Sequence, residues 1–132
     1  RAIYEGMAFS NKHCLDAYTV PVKSICLTGG GTNSAVWCQI FADVVNVPIK
    51  LMSGTEYGAK GAAWTAAWAT GMFKDYKAAV DSFCKVDRVY TPDPKNAAIY
   101  QELYEIYKEI PYALFPAWKH RMEFLEKNGF EG

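Results

Sequence analysis

The apolar positions of this chain change rhythm several times, and each change marks an element. Ala2, Ile3, Met7, Phe9, Leu15 and Tyr18 follow a loose helical period from the first residue to about Tyr18, and Pro21 closes that region. Residues 24–28 alternate around Ile25 and Leu27 and run into glycines, the pattern of a short strand. From Asn33 the period becomes helical, with Val36, Ile40, Val44 and Val47 on one face and Trp37 and Phe41 beside it. Thr32 or Asn33 can cap that helix by accepting from its first free N–H groups. "PIKLM", residues 48–52, reads as a second short strand. Strand, glycine turn, helix, strand over residues 24–52 predicts an α/β unit.

Further on, Ala59, Ala62, Ala63, Ala66 and Ala67, with Gly58 and Gly61, predict a helix of unusually small side chains. Thr55 is its expected N-cap, Glu56 favours the positive end of its dipole, and Gly71 is a natural C-terminal stop. Small side chains allow close approach, so this helix is expected to pack tightly against a sheet or another helix. Residues 74–83 predict another short helix, and "RVYTPDP" at 88–94 a loop. Asp93 then caps the last long helix, with Pro94 in its first turn, where a missing N–H costs nothing. Ile99, Leu103, Ile106 and Ile110 form its apolar stripe, and Pro111 is expected to interrupt or kink it. Tyr100, Tyr104, Tyr107 and Tyr112 read as packing and interface residues rather than chemistry. The helical pattern resumes from Trp118 through Met122 and Leu125 and ends in a polar tail at 129–132.

Composition narrows the class. The 132 residues fit one domain, and 51% hydrophobic with 15% aromatic residues exclude a disordered chain. Fourteen basic and fourteen acidic side chains cancel, without the basic excess of a nucleic-acid binder. No apolar run reaches the length of a membrane span, and no signal-peptide pattern opens the chain. Cys14, Cys26, Cys38 and Cys84 form no C-x-x-C pair, and His13 and His120 stand far from ligand-like spacing. We therefore expect reduced, mostly core-filling thiols, no metal site and a cytoplasmic protein. The chain opens at Arg1 already in a helical pattern with no cap before it, which suggests a piece of a longer protein.

The chemistry sits at Gly29, Gly30 and Gly31. Three residues without Cβ atoms let the backbone lie close to a ligand, and the helix start that follows favours an anion. Asn33 and Ser34 add an amide and a hydroxyl at the same end. The turn is neither G-x-G-x-x-G nor a P-loop, so from the residues alone a nucleotide site and a structural turn both stay open. No histidine lies near a candidate nucleophile, and Asp43, Glu56, Asp75, Asp81, Asp87 and Asp93 are scattered. Asp43 reads as a helix-surface acid or a hydrogen-bond partner. No catalytic residue is assigned.

The ordered set Gly29, Gly30, Gly31, Ser34, Trp37, Gln39, Ala42, Asp43, Pro48, Glu56, Ala59, Gly61, Ala62 and Ala63 resembles the C-terminal region of the FGGY carbohydrate kinases, particularly the xylulose-kinase-like branch. "RAIYEGMAF" resembles the helix before that motif and "YTPDPKNAAIYQELYEIYKEI" the closing helix, so the likeness covers nearly the whole chain. The resemblance implies part of a ribonuclease-H-like, actin-like ATPase domain. It implies that residues 1–132 are the C-terminal portion of the second domain, with the N-terminal domain absent. It implies transfer of the ATP γ-phosphate, with Mg2+, to a hydroxyl of a sugar or polyol, a pentulose such as xylulose above all.

By position, Gly30 and Ser34 match the nucleotide-contacting places, with Gly29, Gly31 and Asn33 beside them and the small-residue helix packed behind. The D-x-G-T phosphate motif and the base aspartate of the family are absent, so this chain alone is expected to be inactive, and the sugar is expected to be bound mainly by the missing part. A non-catalytic nucleotide-binding module and a purely structural α/β domain remain the alternatives. No nucleic acid or membrane is expected as a partner. Uncovered apolar surface is expected to favour self-association.

Overall fold

The computed structural model describes residues 1–54 and 56–130, and of Phe83 the backbone only. The expected cap at Thr55 and the last two residues of the polar tail lie outside the described residues. The elements run α1 (Ala2–Leu15), β1 (Ile25–Leu27), a 3-10 turn (Gly30–Asn33), α2 (Ala35–Val45), β2 (Ile49–Met52), α3 (Tyr57–Ala69), α4 (Tyr76–Phe83), β3 (Val86–Tyr90) and α5 (Pro94–Lys127). Their sheet has the order β1-β2-β3, with β1 parallel and β3 antiparallel to β2. The mixed α/β class and the unit over residues 24–52 are as expected.

The third strand is a correction. In place of the loop expected from Arg88 onward, Tyr90 pairs with Ile49, Val89 with Lys50 and Arg88 with Leu51. Valine and tyrosine favour a pleated surface, and a neighbouring strand supplies the partners that an exposed loop would lack. A register shift between Leu51 and Met52 brings Val86 opposite Met52.

Packing centres on α2. Seven of its residues are buried, Cys38 and residues 40–45, so the helix is enclosed on most sides rather than on one face. Val36, expected on the core face, is exposed. Phe9 of α1 joins this core and places its ring 5.9 Å from Tyr104 and 5.3 Å from Tyr107, both stacked. Tyr100 closes the cluster edge-on at 6.0 Å. The expected packing role of these three tyrosines holds; Tyr112 is exposed. Of the cysteines only Cys38 is buried, and the three exposed thiols correct the expectation of core filling.

In α5 the core face is Ala97, Tyr100 and Tyr104, while Ile99, Leu103, Ile106 and Ile110 face outward. The two stripes share a helical spacing and differ by one residue, about 100° of rotation. Hydroxyl partners choose between them: Tyr104 Oη donates to Asp16 at 2.6 Å and Tyr100 Oη to Glu5 at 2.9 Å. An isoleucine there would leave both carboxylates without these donors. Asp93 caps the helix as expected, accepting from Lys95 and Asn96 N–H groups, with Pro94 just inside. Pro111 and Pro116 both lie inside α5, so of the expected interruption or kink at Pro111 the interruption does not occur. No described helix is long and apolar enough to cross a membrane.

Asp43 joins the helices to the β3–α5 connection. Its carboxylate is 2% exposed and accepts from Gln39 Nε2 at 2.8 Å, Asp93 N–H at 2.8 Å and Asn96 Nδ2 at 3.0 Å. It is therefore a buried hydrogen-bond partner, and the helix-surface reading falls. Replacing Asp43 with Ala leaves these donors without their acceptor, and urea unfolding should register a loss of about 2–4 kcal/mol.

A second prediction concerns alkali. Burial, joined by Asp16 beside the hydroxyl, pushes the Tyr104 phenol well above the ordinary tyrosine range. Below pH about 10 the phenol is protonated in both states and its contribution is complete. Above that pH the unfolded chain loses this proton before the folded chain does, so stability falls as pH rises. Urea midpoints between about pH 8 and about pH 11 should drop more for the unaltered chain than for Tyr104→Phe.

Candidate functional site

Strand β1 ends at Leu27, and the chain must turn at once to start α2 over the sheet. Gly29 makes the turn with φ +103° and ψ 178°, a conformation that glycine alone adopts readily. The Gly29 carbonyl then accepts from Thr32 N–H at 3.1 Å and Thr32 Oγ1 at 2.7 Å, while the Gly31 carbonyl accepts from Ser34 N–H at 3.1 Å. Gly30 and Gly31 N–H groups have no partner among the described residues.

The turn is braced from behind. Ser34, not Thr32 or Asn33, is the cap of α2: its Oγ accepts from Trp37 N–H at 3.3 Å. The 3-10 turn uses Thr32 for its own closure, which moves the helix start on by two residues. Cys38 Sγ donates to Thr32 O at 3.7 Å, and burial pushes that thiol's pKa up. A Cβ on Gly31 would come 3.3 Å from the Trp37 ring, whereas one on Gly30 would meet nothing within 4 Å. Gly31 thus serves packing, and Gly30 faces open space.

Asn33 and Thr32 form one wall of an open cleft of about 310 Å³. Leu51, Gly54 and Tyr57 form its floor and far side, and Asp87 and Arg88 of β3 complete it. It lies at the carboxyl ends of the parallel strands, where open α/β sheets hold their ligands. The structure therefore brings Asn33, with Thr32, to the cleft wall, leaves Gly30 in open space two residues before Thr32, and sets Ser34 back as a cap. Sequence reasoning missed Arg88 and Gly54. Arg88 was hidden by the loop reading of its segment; Gly54, at φ +96°, sat in a Ser-Gly turn signal that had not been connected to the site.

The small-residue helix does not pack as expected. Gly58, Ala59, Ala62, Ala63 and Ala66 are all exposed, and α3 meets α4 rather than the back of the glycine turn. Its C-terminus does stop at Gly71, whose φ is +72°. Gly71 N–H donates to Trp68 O and Met72 N–H to Ala67 O, both at 3.0 Å, which satisfies two terminal carbonyls.

A glycine turn between a parallel strand and a helix, with a cleft at the strand ends, defines one wall of a ribonuclease-H-like α/β domain. The chain belongs to the FGGY family of carbohydrate kinases, whose C-terminal domain it matches over residues 1–70. It is 35% identical over 116 residues to a xylulose kinase of Staphylococcus epidermidis, which covers 83% of this chain and 23% of that enzyme. It is 32% identical over 114 residues to a ribulokinase of Mycolicibacterium smegmatis, over 83% of this chain and 20% of that enzyme. Its fold superposes on a ligand-bound xylulose kinase of Lactobacillus acidophilus with a TM-score of 0.79 and 35% identity, over 86% of this chain and 24% of that one. The chain spans less than a quarter of the length of these relatives.

The turn geometry separates Gly29 from Gly30. Gly29→Ala forces an alanine to positive φ and should cost about 1–2 kcal/mol in urea unfolding. Gly30→Val adds side-chain atoms in open space and should change stability by less than about 0.5 kcal/mol.

Proposed function

We propose that this chain is the C-terminal portion of the second domain of a two-domain, ATP-dependent sugar kinase, and that it forms one wall of the nucleotide site. The observation that carries this reading is the glycine turn itself. Gly30 leaves an open approach to the backbone, the Gly30 and Gly31 N–H groups have no partner among the described residues, and the chain is a member of a carbohydrate-kinase family. A phosphate or ribose oxygen is the acceptor those donors lack. In this reading Gly29 and Gly31 shape the turn, Gly30 and Asn33 face the nucleotide, and Ser34 fixes the start of α2. The substrate is a pentulose, xylulose first, as the Staphylococcus relative's name suggests.

Phosphoryl transfer is positioning and charge stabilisation from both sides of a cleft. The catalytic base and the sugar contacts lie, in this reading, on the other wall. Among the described residues no three His, Cys, Asp or Glu side chains converge. Magnesium would then be carried on the phosphates of the nucleotide and would supply charge neutralisation there. The outward stripe of α5 and the small-residue face of α3 become surfaces that the rest of the kinase covers.

Calorimetric titration of ADP and ATP into the two-domain protein, with and without magnesium, tests the reading. Saturable binding in the unaltered protein that falls at least about tenfold in Gly30→Val, at unchanged melting temperature, is the expected result. Equal nucleotide affinity in the two proteins would overturn the assignment of the turn. A coupled assay for ADP release on xylulose and other pentuloses checks the reaction, and silence with every sugar alongside intact ADP binding would favour a non-catalytic nucleotide-binding module.

A further inference from the structure

We infer that Arg88 is a second nucleotide contact in this wall, and that its guanidinium meets the phosphates rather than the base or the ribose. This rests on the nucleotide reading of the glycine turn and adds to it a charged residue from another element. Arg88 lies opposite Leu51 across the β2–β3 pair, and cross-strand partners share a face. That face carries Leu51 toward the core and brings Arg88 to the cleft beside Thr32 and Asn33.

The guanidinium has five donors in a planar fork. Its one hydrogen bond to a described residue is from Nη1 to Tyr90 Oη, at 3.2 Å. It is within ion-pair distance of no described carboxylate, although Asp87 precedes it on the same strand. Thr32 and Asn33 across the cleft are neutral. A cation with unused donors therefore lines the same cleft as Thr32 and Asn33 of the glycine turn, at the carboxyl ends of two parallel strands. An oxyanion group in the cleft is the partner those donors lack, and a diphosphate offers several such oxygens. The purine and ribose carry no negative charge and gain nothing from the cation. A purely structural Arg88 would need only its aliphatic stem to cover Leu51.

The test compares ADP with adenosine in the two-domain protein by calorimetry, using Arg88→Gln and Arg88→Lys. In Arg88→Gln, ADP affinity should fall about tenfold or more while adenosine affinity stays within about twofold, and Arg88→Lys should recover part of the loss. Equal ADP affinity in Arg88→Gln and the unaltered protein would overturn the inference while leaving the glycine-turn reading in place. An equal fall for ADP and adenosine would overturn it too, because the charge would then not be meeting phosphate. Failure of the unaltered protein to bind ADP would overturn the underlying reading and this inference with it. Should Arg88→Gln not fold, phenylglyoxal labelling of the unaltered protein decides. ADP should protect the Arg88 peptide and adenosine should not; no protection by ADP overturns the inference.

Discussion

The buried carboxylate of Asp43 is the constraint on which the rest of the arrangement depends. A charge taken out of water demands donors, and each donor that Asp43 recruits belongs to a segment that must be held still. Gln39 comes from the preceding turn of α2 and reaches on to the carbonyl of Thr91, while the Asp93 N–H and Asn96 amide come from the start of α5. The carboxylate thereby ties the end of β3 and the first turn of α5 to the middle of α2. Through that tie the strand carrying Arg88 is kept in register with the helix that supports the glycine turn.

The turn is rigid on one side and open on the other. Behind it, Trp37 packs against Gly31 and its ring lies 5.3 Å from Phe41, while Ser34 and Cys38 hold the first turn of α2. In front, a Cβ on Gly30 would meet no described residue within 4 Å. A site built this way costs little to present, because the strain sits at Gly29, where glycine absorbs it. The backbone donors are then oriented before any ligand arrives, which is what the proposed nucleotide contact would require.

Two faces of the chain look outward with side chains that ordinarily look inward. One is the small-residue face of α3, and the other is the stripe from Ile99 to Ile110 on α5. Both were legible in the sequence as packing faces, and their periodicity was read correctly. For α3 the expected neighbour, the back of the glycine turn, is not the one it meets, and for α5 the tyrosine face rather than this stripe turns inward. A periodic pattern states which residues share a face, but which neighbour covers that face depends on elements far away in the chain.

The order of elements from α1 to β2, the glycine stop of α3 and the Asp93–Pro94 start of α5 were all determined by the sequence itself. Each rests on local chemistry: a proline's fixed φ, a glycine's freedom at positive φ, a side-chain oxygen near free N–H groups. The site was legible in part, because three glycines before a helix are a local signal. The tertiary structure alone decided what those local rules leave degenerate. It made "RVY" a strand, because β2 offered unpaired backbone groups to it. It turned inward not the isoleucine face of α5 but the tyrosine face, where Phe9 stacks on Tyr104 and Tyr107 and the Tyr100 and Tyr104 hydroxyls reach Glu5 and Asp16. It buried Asp43, because donors separated from it by some fifty residues converge there. Those choices are made by contacts between distant segments, and a single sequence carries no local mark of them.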